Sequence, residues 1–250
     1  MISFNITYYN EPKWLKWWYL TFKELHDRGY DFYLNVCDDG SMRQPAEAFF
    51  EKNPPCEGMR LFRVIDDIGF NSHGSRNLLM KQTLTDWNLM SDIDRRYSKD
   101  TLIGIMEEEP LLIKGHYYAL KEILVASPDG FSVNEYLVHK KDFWKTGGYD
   151  EEFVNIHWGD RYFLETLRRV AKRECVPDWG VKYARGAREV TWADVPTTIY
   201  PDDRTLIHPN NRWPDQEFRF GLKEFVRQRN KTHEGRMSKK VINFEWKQVF

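Results

Sequence analysis

Residues 2–92 alternate β-rich and helical stretches, and that alternation constrains the fold more than any other feature of the chain. Residues 2–8 (ISFNITY) read as a strand, broken by Asn10, Glu11 and Pro12. In residues 13–28 the apolar side chains Trp14, Trp17, Trp18, Phe22 and Leu25 recur every three or four positions, the mark of one helix face. Gly29 is a stop signal. Residues 31–37 (DFYLNVC) give a second strand, 44–51 a helix closed by Pro54 and Pro55, 59–65 a third strand, 72–85 a helix and 87–90 a short fourth strand. Strands that alternate with helices need crossover connections, so the expected class is α/β, a mixed but mainly parallel sheet flanked by helices. Such sheets bind ligands beyond the carboxyl ends of their strands. Acidic residues stand at four successive strand ends: Glu11, Asp38–Asp39, Asp66–Asp67, and Asp92 with Asp94.

The second half is less regular. Residues 116–125 suit strand or helix, 131–139 a strand, 141–145 a short helix stopped by Gly147 and Gly148, and 160–172 a helix. Residues 176–214 are rich in turn chemistry and are expected to wrap over the ligand face. A last helix is expected at 216–230, before a basic tail. With no repeat, low-complexity tract or clear linker, the 250 residues read as one domain.

Composition bounds function mainly by exclusion. The net charge is −1, so no global field points to nucleic acid or a membrane. Cys37, Cys56 and Cys175 are odd in number and lack CxxC spacing, which argues against a disulfide framework or a zinc site and suggests a reducing compartment. A strand beginning at Ile2 leaves no room for a signal peptide, and no apolar run approaches the ~18 residues of a membrane span, so the expected location is cytoplasmic, with any membrane contact peripheral. Lys and Arg outnumber Glu between residues 219 and 240; that stretch suits a solvated helix and tail, or an anionic partner such as DNA or a membrane surface.

Asp92 and Asp94 are separated by one residue at a strand end, where two carboxylates can face one hard cation that also meets a diphosphate. Alone, such a pair is a weak signal and more often marks a solvated loop or a helix N-cap. Asp38 and Asp39 stand in DDGS; a carboxylate there can accept from a nucleobase N–H or a ribose hydroxyl, although Asp-Gly is also a turn dipeptide.

Read in order, six segments resemble the GT-A glycosyltransferases, family 2 in particular. They are residues 3–11 (SFNITYYNE), 36–41 (VCDDGS), 74–77 (GSRN), 91–94 (SDID), 140–150 (KKDFWKTGGYD) and 157–167 (HWGDRYFLETL). The resemblance covers residues 2–170 and implies a Rossmann-like GT-A domain, with a nucleotide-binding half at 1–100, an acceptor-binding half at 101–215 and a C-terminal helix and tail at 216–250. It implies that Thr7, Tyr9 and Glu11 line the nucleotide, that Asp39 beside Asp38 reads the base, and that Arg76 sits near the donor. It implies that Asp94 holds Mn²⁺ or Mg²⁺, with Asp92 toward ribose or metal, and that the donor is a nucleotide sugar, a UDP-sugar first. His208 would add a metal ligand.

Asp160 would be the base of an inverting transfer to a saccharide or other hydroxyl acceptor. Phe163 and Leu167 keep the family's spacing after it. Gly159 stands where the family has a first acid, and Arg161 and Tyr162 replace an acidic follower, which bears on acceptor contacts; His157 and Trp158 are candidates for those. Asp160 as a helix cap is the structural alternative. Two other functions stay open: glycosylation of hydroxymethylated DNA bases, and an inactive module that binds nucleotide sugar or glycan. A nucleotidyltransferase would need a Gly-rich basic loop where this chain has Tyr8-Tyr9-Asn10-Glu11.

Overall fold

The computed structural model describes residues 1–123, 131–153, 159–183 and 241–250. Among the described residues nine strands form one sheet. In chain order the elements are β1 (Ile2–Tyr8), α1 (Pro12–Asp27), β2 (Phe32–Asp38), α2 (Ala46–Phe50), β3 (Met59–Val64), α3 (Ser72–Gln82), β4 (Trp87–Asp92), β5 (Arg95–Tyr97), α4 (Lys99–Glu107), β6 (His116–Ile123), β7 (Phe131–His139), α5 (Lys140–Lys145), α6 (Gly159–Val170), β8 (Lys172–Tyr183) and β9 (Trp246–Gln248). The strand order is β5-β8-β6-β7-β4-β1-β2-β3-β9. β1 pairs in parallel with β2 and β4, and β2 with β3, so β4-β1-β2-β3 is a parallel block. The order reverses at β1, since β2 lies on one side of it and β4 on the other. That reversal leaves a crevice at the carboxyl ends of β1 and β4. β7 pairs antiparallel with β4 and β9 antiparallel with β3.

Strand alternation divides the core between two faces. Ile2, Phe4 and Ile6 meet Trp18, Phe22 and Leu25 of α1 and Leu102 and Ile105 of α4 on one face. Cys37, Phe62 and Val64 meet Leu78 and Leu79 of α3 on the other. Met80 of α3 continues that layer onto β6, β7, α5 and α6. Pro12 opens α1, where its missing N–H costs nothing. Asn71 caps α3 by accepting from Gly74 N at 3.2 Å. A Cβ at residue 74 would stand 2.5 Å from both Asn71 Oδ1 and Phe244, so only glycine lets the cap and the C-terminal segment close together.

Four readings of the sequence change. Residues 116–123, ambiguous by periodicity, are β6. Residues 95–97 and 99–107 form β5 and α4. α6 stops at Val170, and Lys172 already belongs to β8. Residues 176–183, expected among turns, belong to β8 as well. The register against β6 jumps from Val176 to Gly180, so Pro177 lies in a bulge where no ladder hydrogen bond is asked of it. The helix expected at 216–230, the basic stretch at 219–240 and His208 lie outside the described residues. No described helix is long and apolar enough to cross a membrane.

Candidate active site

The crevice is built around one buried guanidinium. Arg76 lies on α3, is 1% exposed, and reaches two carboxylates that are far apart in sequence. Its Nη2 donates to Asp92 Oδ1 at 2.5 Å, and its Nη1 donates to Asp160 Oδ1 and to the Tyr149 hydroxyl. Burial alone disfavours the Arg76 cation, but Asp160 and Asp92 outweigh that penalty. Tyr149 also lies under the guanidinium, 5.2 Å from its ring centre, and shares a 2.8 Å hydroxyl contact with Tyr136. Asn77 holds Tyr149 in place: its amide donates to Tyr149 O at 2.9 Å and accepts from Tyr149 N at 2.8 Å. The KTGGYD stretch thereby docks on α3. Gly148 has φ +83°, and a Cβ there would meet Asn77 Oδ1 at 2.7 Å.

Asp92 ends β4, in register with Thr7 of β1. Its second oxygen accepts from Asn134 at 2.8 Å. Burial pushes the Asp92 carboxyl up, but Arg76 and Arg95 outweigh it and hold it below the usual carboxylate range. Asp94 sits in the turn to β5. Its Oδ1 is buried and accepts no hydrogen bond from a described residue, with Arg95 Nε at 3.9 Å. Burial, reinforced by Asp92, pushes its carboxyl up to about 6. Behind the pair, Arg95 Nε lies 2.9 Å from Glu135 Oε1, both side chains being buried, and Ser132 donates to the other Glu135 oxygen. Burial pushes Glu135 up to about 8 against the pull of Arg95. Arg76 thus faces Asp92 and Asp160, and Arg95 faces Asp94 and Glu135.

The acids after β2 are used differently. Asp38 is fully buried; Oδ1 accepts from Ser41 N at 2.8 Å and Oδ2 from Ala46 N at 2.7 Å, so its carboxylate closes the β2–α2 loop. Asp39 accepts from Asn71 N at 2.9 Å and Ser75 Oγ at 3.0 Å, tying β2 to the start of α3. Burial pushes Asp39 up to about 7. Gly40 has φ +75°, and a Cβ there would stand 2.8 Å from Asp66 O. On the β1 side Thr7, Tyr9 and Glu11 are half-buried, and Tyr9 donates to Asp67 at 2.7 Å. The Glu11 carbonyl accepts from Trp14 N and Leu15 N at the head of α1.

Thr7, Arg76, Asp92, Asp94 and Asp160 therefore converge on one crevice, with Asp39 at its α3 wall. His157, Trp158 and His208 lie outside the described residues. Among the described residues no group of three or more His, Cys, Asp or Glu could hold a metal ion. The open oxygen of Asp94 beside Asp92 still fits a hard divalent cation, because such an ion shared with phosphates takes only one or two protein carboxylates. Sequence reading missed His73, Tyr149, Arg95, Asn134 and Glu135. The one sequence signal for Glu135 was an acid inside the strand expected at 131–139.

Solved structures place this architecture. The chain is similar to residues 1-349 of S. aureus TarS in complex with UDP-GlcNAc, at TM-score 0.58 and 14% identity over 73% of this chain and 58% of that one. The fold is that of the GT-A glycosyltransferases. The same TarS fragment without UDP-GlcNAc matches at TM-score 0.56 and 15% identity, over 74% of this chain and 60% of that one. A second GT-A structure, mannosyltransferase PcManGT from Pyrobaculum calidifontis in complex with GDP-Man and Mn²⁺, matches at TM-score 0.55 and 13% identity, over 75% and 57%. The chain spans about three-fifths of the length of these GT-A relatives. No protein-family model and no curated protein matches it.

Proposed function

We propose that the chain transfers a sugar, with inversion, from a nucleoside diphosphate donor to an acceptor hydroxyl on a saccharide. The observation that carries this reading is the buried Arg76 bridge between Asp92 and Asp160 at the carboxyl end of the sheet. It brings a donor-side acid and a candidate base within reach of one cationic side chain, on a fold whose solved relatives hold UDP-GlcNAc or GDP-Man.

Each side chain then has a defined task. Thr7, Tyr9, Glu11 and Asp39 line the nucleotide. Arg76 presents a planar fork of donors suited to a diphosphate. Asp94, with Asp92, would hold Mn²⁺ or Mg²⁺, which supplies charge neutralisation for a leaving diphosphate. Asp160 accepts the acceptor hydroxyl proton while that oxygen bonds the anomeric carbon and the bond to the diphosphate breaks, its electron pair leaving on the phosphate oxygen. Inversion follows from this single displacement. Asp38 takes no part beyond holding its loop.

The test is thermal stability with UDP and GDP, each with and without Mn²⁺. A ligand at a hundredfold excess over Kd adds about 2.7 kcal/mol of native-state stability. The expected result is an upward shift with UDP that requires Mn²⁺ and disappears in Asp94→Ala. An unshifted melting curve with both nucleotides sinks the transfer reading.

A further inference from the structure

One buried polar side chain beside Asp160 is left without a task by that reading. His73 lies on α3 three residues before Arg76, hence on the same face. It is 1% exposed, and neither ring nitrogen has a hydrogen-bond partner among the described residues. A buried polar group in that state is costly, and native proteins seldom keep one without a use. The ring plane is fixed by Tyr149, with centroids 5.3 Å apart, and by Phe153 at 6.1 Å. Its Nε2 is 3.8 Å from Asp160 Oδ1, too far for a hydrogen bond, while Arg76 occupies that oxygen. Gly159 makes the approach possible: a Cβ at 159 would stand 2.3 Å from His73 Nε2, so a larger residue there requires the imidazole or the backbone to shift. Burial pushes the His73 pKa down to about 4, which leaves a neutral ring with one donor and one acceptor nitrogen.

We propose that His73 is a positioning residue for Asp160, its Nε2–H taking over the Asp160 carboxylate when Arg76 turns to the donor diphosphate. This rests on the transfer reading above. A diphosphate at the fork would compete with Asp160 for Arg76 Nη1, the nitrogen that already serves both Asp160 and Tyr149. A base left by Arg76 would otherwise swing free, and a base must be aimed at the proton it takes. His73 is the neighbouring donor on the same helix, and exchange of one donor for the other requires only that Asp160 or the ring move by less than about 1 Å to reach hydrogen-bonding distance.

The test separates donor from packing. His73→Gln places an amide N–H near the Nε2 position, while His73→Leu keeps an apolar side chain of similar volume with no donor. Turnover is read as nucleoside diphosphate released from UDP-GlcNAc, GDP-mannose and related donors, with Mn²⁺ and water as acceptor. The expected result is a kcat in His73→Leu about ten- to a hundredfold below the wild type, a part of what a general base contributes. His73→Gln stays within about threefold and the donor KM within about twofold in both, because the donor contacts are untouched. Melting temperatures and the UDP or GDP shift are read alongside. Wild-type turnover in His73→Leu, or equal losses in both variants accompanied by lower melting temperatures, overturns the assignment while the transfer reading stands. No nucleotide shift and no turnover in the wild type overturns the transfer reading and this assignment with it.

Discussion

β2 and β4 flank β1 on opposite sides, and each ends in a pair of acids that the chain uses in a different way. After β2, Asp38 and Asp39 accept three backbone N–H groups and one hydroxyl, and among the described residues no guanidinium hydrogen-bonds either carboxylate. After β4, Asp92 is held by Arg76 and Asn134, and Asp94 keeps a buried oxygen that no described residue fills. The first wall is closed by neutral donors. The second is held by charged partners and leaves one buried oxygen of Asp94 without a described donor. The type of partner, neutral donors after β2 and a charged fork after β4, is what separates the two pairs of acids.

Substitutions can break or sharpen this contrast. The largest expected effect falls on the charged wall's far end. Asp160→Asn removes the base but keeps an acceptor for Arg76, so nucleoside diphosphate release from the donor should drop about 10²- to 10⁴-fold while the UDP shift persists. Unchanged release would take Asp160 out of the reaction. Next, Arg76→Ala leaves Asp92 and Asp160 without their cation, and loss of one partner of a buried ion pair costs about 3–5 kcal/mol. Urea unfolding at pH 7 should show that loss, and a change below about 1 kcal/mol would mean that the bridge does not hold the wall.

A smaller effect is expected on the neutral wall. Asp38→Ala strands two backbone N–H groups, at about 1–3 kcal/mol for the unsatisfied donors, yet should leave the Mn²⁺ dependence of nucleotide binding intact. Loss of that dependence would put Asp38 among the working acids and dissolve the contrast. The smallest effect is a slope. Burial raises the folded-state pKa of Asp39 to about 7, above its ordinary 3.8, so the folded chain holds a proton that the unfolded chain releases between those values. Its contribution to stability is therefore full below about pH 4 and is lost as pH rises toward 7, by less than about 1.4 kcal/mol per pH unit. Urea midpoints across that window should fall more steeply in the wild type than in Asp39→Asn. Parallel curves would show Asp39 ionised throughout.

The parallel block was readable because its signals are local. Alternation along 2–8 and 31–37, the three-and-four spacing of Trp14, Trp18, Phe22 and Leu25, and the stop at Gly29 all act within one element. The antiparallel flank was less so. β6 mixes tyrosines with charged residues in no clear period, and β8 carries Pro177 in a bulge that only its register against β6 explains. Arg76, Asp92 and Asp160 were each nameable as candidates, but nothing in a linear chain says that one guanidinium serves both acids. His73 and Glu135 carried at most a faint signal, since their importance lies in what they lack or share across the sheet.

By itself the sequence determined that strands and helices alternate and that acids collect at the strand ends, where the resulting sheet opens a crevice. These follow from side-chain periodicity and turn chemistry, which act over a few residues. Only the tertiary structure decided which acids are spent on backbone amides and which stand open, that α3 aims Arg76 and His73 at the same carboxylate, and that Gly159 leaves room for the imidazole. The physical reason is that hydrogen-bond partners, burial and charge balance depend on segments distant in the sequence, such as the 84 residues that separate Arg76 from Asp160, and they come into existence only when the chain closes on itself.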